Sequence, residues 1–160
     1  MKKIFAPWRA AYIQSVEKPS GCIFCVFPAR EDDEDNLILF RGENCFVILN
    51  RYPYNSGHLM VVPYRHTAEY GSLNPGEVAE MHRLTSISMD VIKRTMNPEG
   101  FNLGINIGKV AGAGVADHVH MHVVPRWNGD TNFMPVMGDV RVVPQSLEET
   151  YRIFKEAWPD

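Results

Sequence analysis

An α+β fold, with an antiparallel β-sheet of about five strands, one long helix and a C-terminal helix, is the architecture this sequence predicts. Three observations carry that expectation. Short apolar runs at strand length are separated by turn residues rather than by helices. One long stretch of helical periodicity is opened by Asn74-Pro75-Gly76-Glu77 and stopped by Asn97-Pro98-Glu99-Gly100. A second capping box is expected at Ser146-Leu147-Glu148-Glu149, opening the last helix. The order is strands, helix, strands, helix, which lacks the regular alternation of a parallel βαβ sheet.

Each element has a local reason. A short helix is expected around Trp8 to Gln14, and the acidic run EDDEDN, Glu31 to Asn36, reads as a solvated loop. LILFRGENCFVILN holds two apolar runs joined by RGEN, a hairpin signal, and HLMVVPYR follows the turn-rich YPYNSG as a further strand. In the long helix Asn74 is the N-cap, Pro75 occupies the first position and Glu77 the third; Val78, Met81, Leu84, Ser88, Val91 and Ile92 then follow helical spacing. FNLGINIG reads as a strand with small residues, and KVAGAGVAD as a flexible glycine loop. The last helix runs to about Trp158.

The 160 residues form one domain over 1–160, with a Cys-x-x-Cys knuckle at 20–30 and a C-terminal extension at 128–160. A net charge of -3 offers no basic field for a nucleic-acid polymer. No apolar run approaches the roughly 18 residues of a membrane-spanning helix, so no membrane is expected. The opening MKKIFAPWRAAYIQ has no long apolar stretch of the signal-peptide kind. Three cysteines, two of them in GCIFC, fit a reduced, cytoplasmic protein with a metal knuckle or redox pair better than a disulfide framework. Cys45 alternates with apolar residues and reads as core.

Chemistry concentrates in GVADHVHMHVVPRW. Three of the six histidines, His118, His120 and His122, stand at strict alternation with Val119, Met121 and Val123. Period two is a strand with imidazoles on one face and apolar side chains on the other. Three imidazoles on one face are costly for a core that only needs filling, which favours metal binding or chemistry over satisfied or surface histidines. Just upstream, Gly108 to Gly114 holds three glycines in seven residues, which let backbone N–H groups converge on an oxyanion. Imidazole is a competent nucleophile toward phosphorus near neutral pH. A phosphate cradle presenting a phosphoryl group to a histidine is a coherent combination, and Asn50, Asn102 and Asn106 supply neutral hydrogen-bonding partners.

HVHMHVVPRW resembles the signature of the histidine triad superfamily. VILNRYPYNSGHLMVVPYRH and FNLGINIGKVAGAGVADH are similar to that family's strand pair and phosphate-side loop. The look is closest to the branch of bacterial diadenosine tetraphosphate phosphorylases and fragile-histidine-triad-like enzymes. The resemblance implies a nucleotidyl transferase or hydrolase acting on dinucleoside polyphosphates. His120 would be the nucleophile that forms a nucleotidyl-histidine intermediate, and His122 would hydrogen-bond the phosphates and the bridging oxygen. Asn50 would contact the ribose, Asn106 the phosphate side, and Gly112, Ala113 and Gly114 would form the phosphate loop. Glycine at 114 stands where some members of the phosphorylase branch carry serine. His58 matches a family histidine behind the nucleophile's strand.

Cys22 and Cys25 need two further ligands to close a zinc site. Galactose-1-phosphate uridylyltransferases, distant relatives in the superfamily, hold structural zinc with two such cysteines and two histidines in similar contexts. That likeness implies Cys22, Cys25, His66 and His118 as a closed zinc site, with no organic cofactor. The histidine triad resemblance also implies a homodimer joined by the long helix and an edge strand, acting on an adenine nucleotide. Two other readings are a nucleoside phosphoramidate hydrolase and a zinc-dependent nucleotide-binding module without covalent catalysis.

Overall fold

The computed structural model of the chain describes residues 20–131 and 144–159. The helix expected at Trp8 to Gln14, and the part of the C-terminal extension between these two ranges, lie outside the described residues. Two four-residue helices come first, α1 (Ile23–Val26) and α2 (Asp33–Asn36). They lead into β1 (Ile38–Arg41), β2 (Cys45–Leu49) and β3 (Leu59–Pro63). The long helix α3 (Pro75–Met96) follows, then β4 (Gly100–Gly104), β5 (Met121–Arg126) and α4 (Leu147–Ala157). The sheet has five strands in the order β1-β2-β3-β5-β4, and every neighbouring pair is antiparallel. The expected α+β class, strand number and helix order are all present.

The acidic run is a short helix rather than a loop. Asp32 caps it by accepting from the Asp35 N–H, and Asn36 at its end is buried. Arg41 on β1 holds Asp33 at 2.7 Å and also donates to the carbonyls of Pro28 and Arg30. These contacts bridge the acidic turn to the sheet, and local composition does not announce them.

The expected capping box at the start of α3 forms. Asn74 Oδ1 accepts from the Glu77 N–H and the Glu77 carboxylate accepts from the Asn74 N–H, an arrangement that stabilises the helix by roughly 1 kcal/mol. The predicted apolar stripe of α3 is corrected at one position. Val78 is exposed, and the buried places beside it belong to Glu77 and Glu80. Both carboxylates are buried because donors await them. Glu77 takes Arg65 at 2.8 Å, and Glu80 accepts the N–H groups of Glu43, Asn44 and Cys45 in the turn between β1 and β2. Of the second expected capping box one half forms among the described residues: in α4 the Ser146 side chain accepts from the Glu149 N–H, and Tyr151 and Phe154 bury themselves in the core.

The core lies between the sheet and the helices α3 and α4. Val61, Leu84, Val91, Ile92, Val123 and Phe154 are all fully buried there. Cys45 belongs to that core, as its alternation predicts, and burial pushes its thiol up to about 12.

Candidate active site and metal centre

The strand register sets the site. Leu59 to Val61 on β3 pair with Val123 to Met121 on β5, and Gly104 on β4 stands opposite His122. Alternation then puts His122, Val124 and Arg126 on one face of β5, while Met121, Val123 and Pro125 take the other. The histidine run is not all strand. His118 and His120 lie in the extended approach to β5, which begins at Met121, because the Val119 N–H is diverted to the carbonyl of Thr67. All three histidines are buried.

The two ring nitrogens of each histidine have different surroundings, and these assign the protons. His120 Nδ1 is 2.8 Å from the carbonyl oxygen of His118. A carbonyl only accepts, so Nδ1 carries the proton and Nε2 carries the lone pair. His58 Nδ1 accepts from the Tyr54 N–H at 3.0 Å, which leaves the proton of neutral His58 on Nε2. That Nε2–H donates to His122 Nδ1 at 2.9 Å, so neutral His122 presents an N–H at Nε2. Asn50 Nδ2, 3.4 Å from His58 Nε2, faces a fellow donor in this tautomer. His122 Nε2 is buried without a hydrogen-bond partner among the described residues. The His120 and His122 rings stand 4.8 Å apart, one offering an acceptor and the other a donor.

Burial keeps these rings neutral. His120 is pushed below the ordinary imidazole range by desolvation, partly opposed by its bond to the His118 carbonyl. His122 falls to about 4, first through desolvation and then through repulsion by His120. Tyr54 stacks on His122 at 5.6 Å and packs on His58 at 4.5 Å. The turn that delivers His58 needs a glycine. Gly57 sits at φ +79°, and a Cβ there would fall 2.7 Å from Met96 Sδ.

Asn50 lies at the end of β2 beside His58, and its Oδ1 accepts the Tyr52 N–H at 2.8 Å. Asn106 stands two residues past Gly104 and faces the glycine turn; its Nδ2 is 3.9 Å from where a Cβ on Gly112 would be. The loop is more ordered than its composition suggests. Lys109–Ala111 is a 3-10 turn, Gly108 and Gly112 have φ of +83° and +92°, and Ala113 is buried. The N–H groups of Gly112 and Ala113 donate to the carbonyls of Lys109 and Gly108, while Gly114 N–H makes no such bond among the described residues. Gly114 lies outside the left-handed region, so the need for glycine falls on Gly112. Trp127 is half-buried, and its indole N–H donates to the carbonyl of Asn97 at the end of α3.

The second constellation closes as expected. Ligand atoms of Cys22, Cys25, His66 and His118 all lie within 4.8 Å of one another. Cys22 Sγ to His118 Nδ1 is 3.4 Å, Cys25 Sγ to His66 Nδ1 is 3.4 Å, and Cys25 Sγ to His118 Nδ1 is 3.7 Å. The two Nδ1 atoms are 3.3 Å apart. Zinc–sulfur bonds of about 2.3 Å and zinc–nitrogen bonds of about 2.0–2.1 Å place tetrahedral ligands roughly 3.3–3.8 Å from one another. The donor set therefore fits zinc. The His118 tautomer fits as well, because its Nε2 is 2.7 Å from the Pro63 carbonyl, which puts the proton there and the Nδ1 lone pair in the cluster.

Two residues of this region carry no sequence signal of their own, Phe24 and Tyr54. Phe24, between the cysteines, packs on His120 at 4.8 Å, and Tyr54 covers His122.

Fold and site together define a histidine-triad protein with a zinc-type Cys2His2 cluster behind the triad. The HIT domain model matches residues 31–129, and the chain belongs to that family. It is 39% identical to the AP-4-A phosphorylase of Mycobacterium tuberculosis, over 99% of this chain and 85% of that one. The zinc-bound histidine triad family protein of Mycobacterium smegmatis superposes with a TM-score of 0.69 at 31% identity, covering 86% of this chain and 93% of the other. A histidine triad nucleotide-binding protein of Sulfolobus tokodaii gives 0.68 at 26% identity, covering 85% and 91%.

Proposed function

We propose that this protein cleaves dinucleoside polyphosphates of the diadenosine tetraphosphate type through a nucleotidyl-histidine intermediate. The observation that carries the reading is the tautomer pair, with an Nε2 lone pair on His120 beside an Nε2–H on His122. The 39% identity to an AP-4-A phosphorylase over nearly the whole chain supports the substrate class.

His120 Nε2 attacks the α-phosphorus, a P–N bond forms, and the P–O bond to the remaining polyphosphate breaks. Positive charge develops on the imidazole, and the His118 carbonyl, already accepting the Nδ1 proton, meets it. The His122 Nε2–H hydrogen-bonds the bridging oxygen as its electron pair returns to the leaving nucleotide. A nucleoside triphosphate departs as an anion, so this hydrogen bond suffices without full proton transfer. Phosphate or water then attacks the same phosphorus and releases neutral His120. Asn50 serves the ribose, and Asn106 with the turn Gly112, Ala113 and Gly114 holds the phosphates, the Gly114 N–H being the one there not bonded to a carbonyl of the loop among the described residues. Cys22, Cys25, His66 and His118 would hold zinc in a closed set of four ligands, where it would serve structure.

The working form is a homodimer in the cytoplasm. β4 is an edge strand, and Leu103, Ile107 and Val110 beside it are exposed apolar residues, as is Val78 on α3. Among the described residues no helix is long and apolar enough to cross a membrane.

Product analysis with diadenosine tetraphosphate, with and without inorganic phosphate, tests the reaction. ADP plus ATP formed only with phosphate means phosphorolysis, and AMP plus ATP means hydrolysis. His120→Ala is expected to lose several orders of magnitude in turnover while still binding nucleotide. Near-normal turnover in that variant overturns the covalent mechanism.

A further inference from the structure

Among the described residues the His120 ring makes one hydrogen bond, from Nδ1 to a carbonyl that belongs to His118, itself a member of the four-ligand cluster. One bond at one edge of a ring leaves rotation about the side-chain torsions to packing. On one side that packing is His122, at 4.8 Å, and on another it is Phe24, at 4.8 Å and tilted 48°. Phe24 also sets its ring edge-on against His118, at 5.5 Å and 72°. Although it lies in the knuckle between two half-exposed or exposed cysteines, Phe24 is only 1% exposed. The four-residue α1 that carries it is too short to persist alone, and the Cys22 cap supplies no side-chain hydrogen bond. Phe24 packs into the core, and the backbone on either side of it is held by the two ligands that flank it, Cys22 and Cys25.

We propose that Phe24 is a positioning residue for His120, through which closure of the Cys22-Cys25-His66-His118 site fixes the orientation of the attacking imidazole. The inference rests on His120 being the nucleophile, as set out above. Closure seats Phe24 against one side of the His120 ring and holds the His118 peptide, whose carbonyl receives the Nδ1 proton. The ring is then left with one outward nitrogen in one direction. Phe24 touches the nucleophile and forms no bond to substrate, so its removal misaims the attack while nucleotide binding persists. A misplacement of about 1 Å at a reacting group costs about 100-fold in rate.

The test uses the full-length, zinc-loaded protein with Phe24→Leu, which keeps bulk but loses the flat ring, and Phe24→Ala. Zinc content, kcat and KM for diadenosine tetraphosphate, and the 15N resonances of the His120 ring are measured for each. The expected result is kcat lowered roughly 10- to 100-fold with KM within about threefold. Zinc content stays unchanged in Phe24→Leu, and the His120 nitrogen shifts move toward a mixture of tautomers. If Phe24→Ala fails to fold, Phe24→Leu decides alone. A rise in KM at constant kcat would make Phe24 a wall of the binding pocket and overturn the proposal. So would unaltered His120 resonances, or activity lost only in step with zinc. His120→Ala run in parallel separates the two readings. If it is inactive while Phe24→Leu keeps wild-type kcat and spectra, positioning by Phe24 is wrong and the covalent mechanism stands.

Discussion

Acidification should destabilise this protein through His122, and the size of the effect follows from the site. The ring is 7% exposed, with His58 and Tyr54 on one side and His120 on the other. Desolvation and the neighbouring His120 lower it from 6.5 to about 4 in the folded protein. Between those two values the unfolded chain takes up a proton that the folded one refuses. The stabilisation from keeping His122 neutral is thus fully present above 6.5 and is lost as pH falls toward 4. The whole shift is worth about 3 kcal/mol, and the step from pH 7 to pH 5 removes about 2 kcal/mol of it. The measurement is urea unfolding followed by tryptophan fluorescence, at both pH values, in excess zinc. His122→Gln, whose carbonyl can still accept from His58 Nε2, is run beside the wild type. Metal release in acid affects both proteins and cancels in the difference. The wild type should lose about 2 kcal/mol more than the variant. Parallel losses in the two proteins would refute the argument.

Four other outcomes are expected. Gly112→Val forces a β-branched residue to a φ of +92°, and should lower turnover roughly 10- to 1000-fold. Gly114→Ala, whose Cβ meets no atom within 4 Å, should leave the circular dichroism and melting temperature unchanged. Cys22→Ser should lower zinc content, read by atomic absorption, together with the melting temperature, because a closed site couples metal binding to folding. Leu103→Asp, placed on the exposed edge strand β4, should convert a dimer to a monomer in light scattering, and a dimer that survives it uses another surface.

Local patterns in the chain disclosed the elements because each is made by local forces. The Asn74-Pro75-Gly76-Glu77 start became a capping box, and the alternating runs became paired strands. The misread positions share one cause: partners distant in sequence. Glu80 is buried by backbone N–H groups some 35 residues upstream, so the α3 stripe shows a carboxylate where periodicity wants an apolar side chain. Asp33 joins a helical turn because Arg41 reaches back to it. The same cause hid what distinguishes the three histidines. Equal spacing at 118, 120 and 122 presents them as equivalent, whereas each ring's chemistry is settled by whatever its other nitrogen meets. For His118 that is the carbonyl of Pro63, which frees Nδ1 for the cluster. For His120 it is the carbonyl of His118, which leaves the lone pair on Nε2. For His122 it is the N–H of His58, which turns the same kind of ring into a donor. Two of those three partners lie more than 50 residues away, on or beside β3. A triad read as a local motif thus places three rings together, and the antiparallel pairing of β3 with β5 decides which ring nitrogen of His122 accepts and which carries the proton.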